Sequence, residues 1–130
     1  MSLTGKPMTR SRASPKLLGA SDARARLNGV RSLDRLQAES AIPRLVELLK
    51  DPDDVIRFAT VRALGNLRAM VAVPALLPLA KQRTNVRDWT RPSIPSHWLE
   101  LDCAAVVALD QIGDQRAAAE ARRVAPHCAP

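Results

Sequence analysis

The sequence predicts an all-α fold, a short α-solenoid of about three antiparallel helix pairs with a flexible basic N-terminal arm. The first observation behind this prediction is internal repetition: Ala41-Ile42-Pro43-Arg44-Leu45 recurs 31 residues later as Ala72-Val73-Pro74-Ala75-Leu76. Matches at one fixed offset are typical of repeat arrays. The second is composition: aromatic residues make up 2% of the chain and tyrosine is absent. A core of Leu, Val, Ile and Ala suits helix pairs better than a sheet sandwich.

The central repeat divides into two predicted helices. Its first helix has apolar residues at i, i+3, i+4 and i+7, namely Ile42, Leu45, Val46 and Leu49. A turn follows at residues 51–54, where Asp53 or Asp54 is expected to cap the second helix. The apolar face of the second helix is formed by Ile56, Ala59, Ala63, Leu64 and Leu67. Gly65 within this helix predicts close packing of a neighbouring helix.

The remaining elements follow from the same offset. A helix beginning at Ser21-Asp22 corresponds to the second helix of an incomplete first repeat, and a short capping helix is expected over residues 15–20. The predicted buried side of the helix that begins at Ser21-Asp22 consists of Ala23, Leu27, Val30, Leu33 and Leu36. In the third repeat, Pro78 should end or kink the first helix. The second helix should begin near Trp98, reach Ile112 and stop at Gly113, before a final Ala-rich helix over residues 117–124.

The predicted domain boundaries reflect where this periodicity starts and stops. Residues 1–14 form the flexible basic arm, residues 15–125 the repeat domain, and residues 126–130 a short frayed tail. Aligning the second helices of the last two repeats requires an offset of 45 residues, so the third repeat carries 14 extra residues. We place this insertion at about residues 82–96.

Positive charge is concentrated outside the repeat body. The net charge is +7: residues 1–31 contribute +6, residues 81–91 contribute +3 and the remaining residues contribute −2. A basic arm and a basic loop can bind phosphate backbones, although they read no base sequence by themselves. The nearly neutral body favours a protein partner instead.

The motif Ala41-Ile42-Pro43 … Leu48-Leu49-Lys50-Asp51-Pro52-Asp53-Asp54-Val55-Ile56-Arg57 … Arg62-Ala63-Leu64-Gly65-Asn66-Leu67 resembles a HEAT-like repeat. It is similar to the short bacterial form also seen in bilin-lyase-type proteins. The resemblance covers roughly residues 22–124. It implies stacked antiparallel helix pairs in a curved right-handed solenoid, and mostly a scaffold or binding role.

The insertion holds the main candidate binding residues. Arg83, Arg87 and Arg91 interleave with Trp89, a combination that can stack on bases or clamp an acidic partner. The alternative is that Trp89 and Trp98 fold back over apolar side chains and close the array. Both interpretations leave the arginines at the surface.

Repeated arginines supply further candidates. Arg26 corresponds to Arg57, and Arg31 corresponds to Arg62, so each pair could line an anion-binding surface. The simpler interpretation gives Arg57 an ion pair with Asp51, Asp53 or Asp54 and leaves Arg62 facing solvent. In the N-terminal arm, the candidate contacts are Arg10 and Arg12.

No catalytic site is predicted. His97, Cys103, His127 and Cys128 match no familiar zinc spacing, so neither a metal nor a cofactor is expected. Two cysteines make no disulfide framework, and Cys103 is expected to behave as a small buried apolar residue. We therefore expect a reducing, cytoplasmic location, with organelle targeting by the Arg- and Ser-containing start as the alternative. No apolar run is long enough for a membrane span.

The leading hypothesis is a non-enzymatic protein–protein interaction or scaffold module that uses the concave repeat face and the Trp/Arg insertion. The alternative is nucleic-acid association through the arm and the insertion, as HEAT-like alkylpurine glycosylases hold DNA. A weaker alternative, resting on family similarity alone, is a bilin-lyase-like protein with a cavity near Trp89 and Cys103. The oligomeric state is open.

Overall fold

The computed structural model describes residues 22–91 and 98–128. Six α-helices are present in these segments, with the bounds α1 Ala23–Arg35, α2 Ile42–Glu47, α3 Asp54–Asn66, α4 Val73–Ala80, α5 Leu101–Ile112 and α6 Gln115–Val124. Two short strands, β1 Asn85–Arg87 and β2 Trp98–Glu100, interrupt the last helix pair. The predicted all-α solenoid is thus confirmed. None of the described helices is both long and apolar enough to cross a membrane.

Aspartate side chains cap the first residues of α1 and α3. Asp22 accepts a hydrogen bond from the backbone N–H of Arg24 at the start of α1, and Asp53 accepts one from Val55 at the start of α3. Each carboxylate satisfies a backbone donor that has no partner within its helix. Pro43 and Pro74 lie in the first turns of α2 and α4, where the missing N–H costs nothing. The predicted cap of the second helix of the central repeat is thus confirmed, with Asp53 as the capping residue.

The second helices of successive repeats pack side by side, α1 against α3 and α3 against α5, while α4 packs against α5. One apolar core runs through them, and its fully buried members include Leu27, Leu45, Ile56, Leu64, Leu76 and Leu109. Gly65 lies where α3 packs tightly against α5. A Cβ atom there would lie 2.9 Å from both Cα and Cβ of Ala108, which confirms the predicted tight packing.

Three equivalent positions end the second helices in the left-handed region. Gln37 has φ 52°, Arg68 has φ 54° and Gly113 has φ 92°. After α1, Ala38 donates to the carbonyl of Leu33 and Gln37 to that of Asp34, and the same pattern recurs 31 residues later after α3. These are paired Schellman bonds, which satisfy the last carbonyls of a helix. Only the third repeat uses glycine, the residue that adopts this conformation without strain.

The insertion contains a β-hairpin that the sequence did not predict. β1 and β2 pair antiparallel, with Val86 opposite Leu99 and Arg87 opposite Trp98. The prediction that a helix begins near Trp98 is therefore wrong, since α5 begins at Leu101. Trp98 and Leu101 have helical spacing, but the backbone between them is extended because it pairs with β1. Pro78 does not stop α4 at once, and the helix continues to Ala80.

Leu36 was expected on the buried side of α1 but is 66% exposed. It is the residue that caps the C-terminal end of the helix, immediately before Gln37, and there it lies beyond the core contacts made by Leu27, Val30 and Leu33. The capping helix expected at residues 15–20 and the arm at residues 1–14 lie outside the described residues.

The C-terminal segment also differs from expectation. Residues Pro126–Cys128 form a 3-10 turn, and Cys128 forms a disulfide with Cys103 at the start of α5. The expectation of two unpaired cysteines, with Cys103 as a buried apolar residue, is therefore wrong. Their separation of 25 residues gave no local signal, because the turn after α6 is what returns Cys128 to α5. The described part of the predicted frayed tail is covalently attached to the repeat body.

Candidate functional site

A groove crosses the exposed sides of α1, α3 and α5. It consists of two adjoining recesses of about 600 and 440 Å³, which share Phe58, Arg62 and Leu99 among their lining residues. α3 supplies Phe58 and Arg62, one helical turn apart, and β2 supplies Leu99 from the hairpin. We refer to this surface as the α1–α3–α5 groove. The repeat stacking explains it, because equivalent helix faces lie side by side.

The apolar part of the groove is formed by Phe58, Leu99 and Val107. Phe58 and Leu99 are half-buried against the core, whereas Val107 on α5 is 56% exposed. Val107 stands out because its neighbours Val106 and Ala108 are buried. An exposed branched side chain beside Phe58 and Leu99 offers apolar area that a partner can cover.

The polar part of the groove contains four arginines and three acidic residues. Exposed arginines come from three places: Arg31 and Arg35 on α1, Arg62 on α3 and Arg91 after the hairpin's first strand. The acidic lining residues are Asp34, Asp88 and Glu100. Asp88 is 7% exposed, and its Oδ2 lies 3.7 Å from Nε of Arg91. The described lining thus carries more positive than negative charge beside an apolar floor.

Three polar side chains link the C-terminal ends of α1, α3 and α5 along one edge of the groove. The amide nitrogen of Asn66 donates to both carboxylate oxygens of Asp34 at 3.1 Å, and Gln111 donates to Oδ1 of Asn66 at 3.1 Å. This chain of hydrogen bonds fixes the relative positions of the helices that line the groove.

Trp89 lies against the repeat body. Its indole N–H donates to the Asp53 carboxylate at 3.0 Å, so the same carboxylate that caps α3 also holds the hairpin. The guanidinium of Arg24 stands over the indole ring, 5.1 Å from its centroid. These contacts favour the interpretation in which Trp89 packs on the repeat body and closes the array. They do not favour the alternative, in which Trp89 stacks on bases.

The other sequence candidates separate into two groups. Arg62 and Arg91 line the groove, whereas Arg83 and Arg87 are exposed in and beside β1 and are not among the groove's lining residues. Arg10, Arg12 and the side chain of Trp98 lie outside the described residues. Of the three candidate arginines of the insertion, only Arg91 thus lines the groove.

The repeated pair Arg26 and Arg57 proves to be structural. Arg26 forms two hydrogen bonds with the Asp51 carboxylate, and the interaction raises the pKa of Arg26. Arg57 donates to the backbone carbonyl of Asp51 and pairs with the Asp54 carboxylate. This confirms the simpler interpretation, in which the arginines hold the turn between α2 and α3.

Sequence reasoning missed several groove residues. Phe58 is the only phenylalanine of the chain, and it lies four residues before Arg62 on α3. That spacing could have placed both residues on one face. Val107 is an apolar residue on the otherwise polar side of α5, and this could also have indicated an exposed apolar position. Leu99 carried no usable signal, because its position depends on the hairpin.

A second cluster lies where α5 begins. Asp102, Cys103, His127 and Cys128 each offer a potential metal-ligand atom, and these atoms lie within 4.8 Å of one another. Nε2 of His127 is 2.7 Å from Oδ2 of Asp102, whose side chain is 2% exposed. Cys103 lines the groove, whereas the indole of Trp89 lies at Asp53 and does not line either recess of the groove.

Comparison with known proteins supports the repeat interpretation. A family model described as HEAT repeats matches residues 13–93, which is 81 of the 130 residues. The match spans α1 to α4 and the first strand of the hairpin. No curated protein matches the sequence significantly.

Proposed function

Because this chain belongs to the HEAT-repeat family, we propose that it is a non-enzymatic interaction module that binds a partner protein in the α1–α3–α5 groove. The observation that carries this proposal is the combination of an exposed apolar strip with arginines from three separate elements. HEAT repeats commonly act as interaction scaffolds, and repeat arrays bind partners on extended concave surfaces.

The groove chemistry suggests the kind of segment that binds. Phe58, Leu99 and Val107 would cover a large apolar side chain, while Arg31, Arg35 and Arg62 would pair with carboxylates beside it. Arginine suits this role because its planar guanidinium binds a carboxylate through two parallel hydrogen bonds. The proposed partner therefore presents an acidic segment with at least one bulky apolar residue.

A peptide-selection experiment tests the proposal. The intact chain is used to select from a random peptide library, and the affinity of each selected peptide is measured by fluorescence anisotropy. We expect acidic peptides with an apolar residue, and Arg62→Glu and Val107→Glu should each weaken binding at least about tenfold, or roughly 1.4 kcal/mol. Arg44→Glu is the control, because it changes the charge by the same amount as Arg62→Glu. Arg44 lies on α2 outside the lining of the groove, so this variant should leave the affinity unchanged.

The outcome that would overturn the proposal is equally specific. Selected peptides that bind wild type, Arg62→Glu, Val107→Glu and Arg44→Glu with equal affinity would place the binding surface elsewhere. Circular dichroism of each variant ensures that lost affinity reflects the groove and not a lost fold.

The second candidate function is nucleic-acid association. It is favoured by the exposed arginines along the groove, together with Arg83 and Arg87 on the hairpin. Labelled single-stranded and duplex oligonucleotides should then bind with an affinity that falls steeply between about 50 and 200 mM salt. An Arg87→Ala/Arg91→Ala variant should reduce that salt dependence. Binding that is absent at low salt, or that ignores ionic strength, excludes this function.

The compartment is part of the proposal. A cytoplasmic location would keep Cys103 and Cys128 largely reduced, whereas an oxidising compartment would keep their disulfide. To distinguish the two states, the cells that produce the chain are quenched rapidly with acid and their free thiols are alkylated. Mass spectrometry then shows whether Cys103 and Cys128 carry the alkyl label or are joined by the disulfide.

A further inference from the structure

We propose that reduction of the Cys103–Cys128 disulfide converts the cluster at the start of α5 into a Zn²⁺ site, with Asp102, Cys103, His127 and Cys128 as ligands. This inference is independent of the proposed groove function. It rests on four side chains of metal-binding type whose ligand atoms lie within 4.8 Å of one another.

The donor set fits zinc. Zn²⁺ prefers four ligands in a tetrahedron, drawn from thiolate sulfur, imidazole nitrogen and carboxylate oxygen. With metal–ligand bonds of about 2.0–2.3 Å, neighbouring ligand atoms lie about 3.3–3.8 Å apart. Nε2 of His127 and Oδ2 of Asp102 are now 2.7 Å apart, so both need to separate only slightly to admit the metal.

The framework holds the ligands from two sides. Asp102 and Cys103 lie in the first turn of α5, and the Cα atoms of Cys103 and Cys128 are 5.1 Å apart. The backbone N–H of Cys103 donates to Oδ1 of Asp102, which leaves Oδ2 directed at His127. The His127 side chain is 28% exposed, so the metal has a path from solvent.

Conversion of the disulfide into the metal site requires only a dithiol reductant and Zn²⁺. A dithiol such as dithiothreitol gives two electrons and two protons to the S–S bond, which yields two thiols and the cyclic disulfide of the reductant. Zn²⁺ then replaces the two thiol protons, which pass to buffer, and gains one nitrogen and one oxygen ligand. Oxidation by a disulfide reverses the sequence and expels the metal. The cluster thus exists in two exclusive forms, cross-linked or metal-bound.

The local spacing gave no indication of this site, because most of α5 and all of α6 separate Asp102-Cys103 from His127-Cys128 in the sequence. Sequence reasoning grouped His97 with the two cysteines and His127 and predicted no metal. The structure places a buried carboxylate beside His127, and Asp102 was not considered as a ligand.

Cobalt substitution tests the inference on the intact chain. The protein is reduced with dithiothreitol, desalted under nitrogen and titrated with Co²⁺, and Zn²⁺ is then added. We expect sulfur-to-cobalt charge transfer and tetrahedral d–d absorption, saturation at one metal per chain, and displacement by Zn²⁺. The air-oxidised chain should show none of these bands.

Variants identify the ligands. Cys128→Ser, His127→Ala and Asp102→Asn should each weaken Co²⁺ binding at least about tenfold, since losing a ligand costs no less than losing an outer-shell partner. His97→Ala removes the other histidine of the chain and should bind normally. His127 is partly exposed, so its variant remains informative even if Asp102→Asn impairs folding. Equal Co²⁺ binding by reduced and oxidised chain overturns the inference, as does loss of the bands in His97→Ala with retention in His127→Ala and Asp102→Asn.

Discussion

Arg26 on α1 and Asp51 before α3 form a two-point ion pair, with Nε to Oδ2 at 2.9 Å and Nη2 to Oδ1 at 3.1 Å. Both side chains are largely buried, at 14% and 3% exposure. Asp51 also accepts the backbone N–H of Asp53, so this carboxylate joins the first repeat to the turn of the next.

We expect Arg26→Ala to lower the free energy of unfolding by about 3 kcal/mol, because it leaves the Asp51 carboxylate buried without its main cation. Urea unfolding monitored by circular dichroism measures this change. Arg44→Ala is the matched control: Arg44 and Glu47 are an exposed pair on α2, so its loss should cost less than about 1 kcal/mol. Equal costs for the two variants would show that the Arg26 pair does not join the repeats.

Gly65→Ala should lower the free energy of unfolding by about 1–3 kcal/mol. The added methyl group would lie 2.9 Å from the Ala108 backbone, which forces α3 and α5 apart and outweighs the roughly 1 kcal/mol gain in helix propensity. Thermal unfolding of the variant measures the balance. A raised melting temperature would contradict the close contact between these helices.

Arg68→Gly should raise the free energy of unfolding by up to about 1 kcal/mol, because Arg68 adopts a left-handed conformation that favours glycine. Arg68→Ala removes the same side chain without relieving φ and serves as the control. The reverse change, Gly113→Ala, should cost about 1 kcal/mol through backbone strain alone, since nothing lies within 4 Å of its added Cβ. Similar stabilities for Arg68→Gly and Arg68→Ala would refute the strain argument.

Trp89→Phe should lower the free energy of unfolding by about 1–3 kcal/mol while leaving groove binding unchanged. The change keeps an aromatic ring but removes the N–H that donates to Asp53, a charged acceptor. Chemical unfolding gives the stability, and anisotropy with a selected peptide gives the affinity. Full stability combined with lost affinity would restore Trp89 to the binding surface.

Local rules account for most of the predicted architecture. The offset of 31 residues, the cap at Asp53 and the glycine at position 65 each depend on nearby sequence or on repetition, and the structure confirms them. Features that require distant segments to meet escaped prediction. The pairing of Val86 with Leu99 and the disulfide from Cys103 to Cys128 both depend on chain reversals that leave no periodic signal.

The same distinction applies to the candidate site. Arg62 was placed at the surface because its helix register and its repeat partner Arg31 were readable from the sequence. Among the apolar groove residues, Phe58 and Val107 had a helical position that the sequence shows, but Leu99 could not be placed, because its position depends on the hairpin. Trp89 was a candidate binding residue because its neighbours in the sequence are basic. In the structure its indole N–H donates to the Asp53 carboxylate.

The bond between Cys103 and Cys128 also sets how this chain transmits mechanical load. A pulling force applied at Cys128 would pass through the covalent bridge to the start of α5, so α6, which lies within the loop that the bridge closes, would carry little of that force. While the bridge is intact, tension at Cys128 would therefore reach the shared core before it could unwind α6.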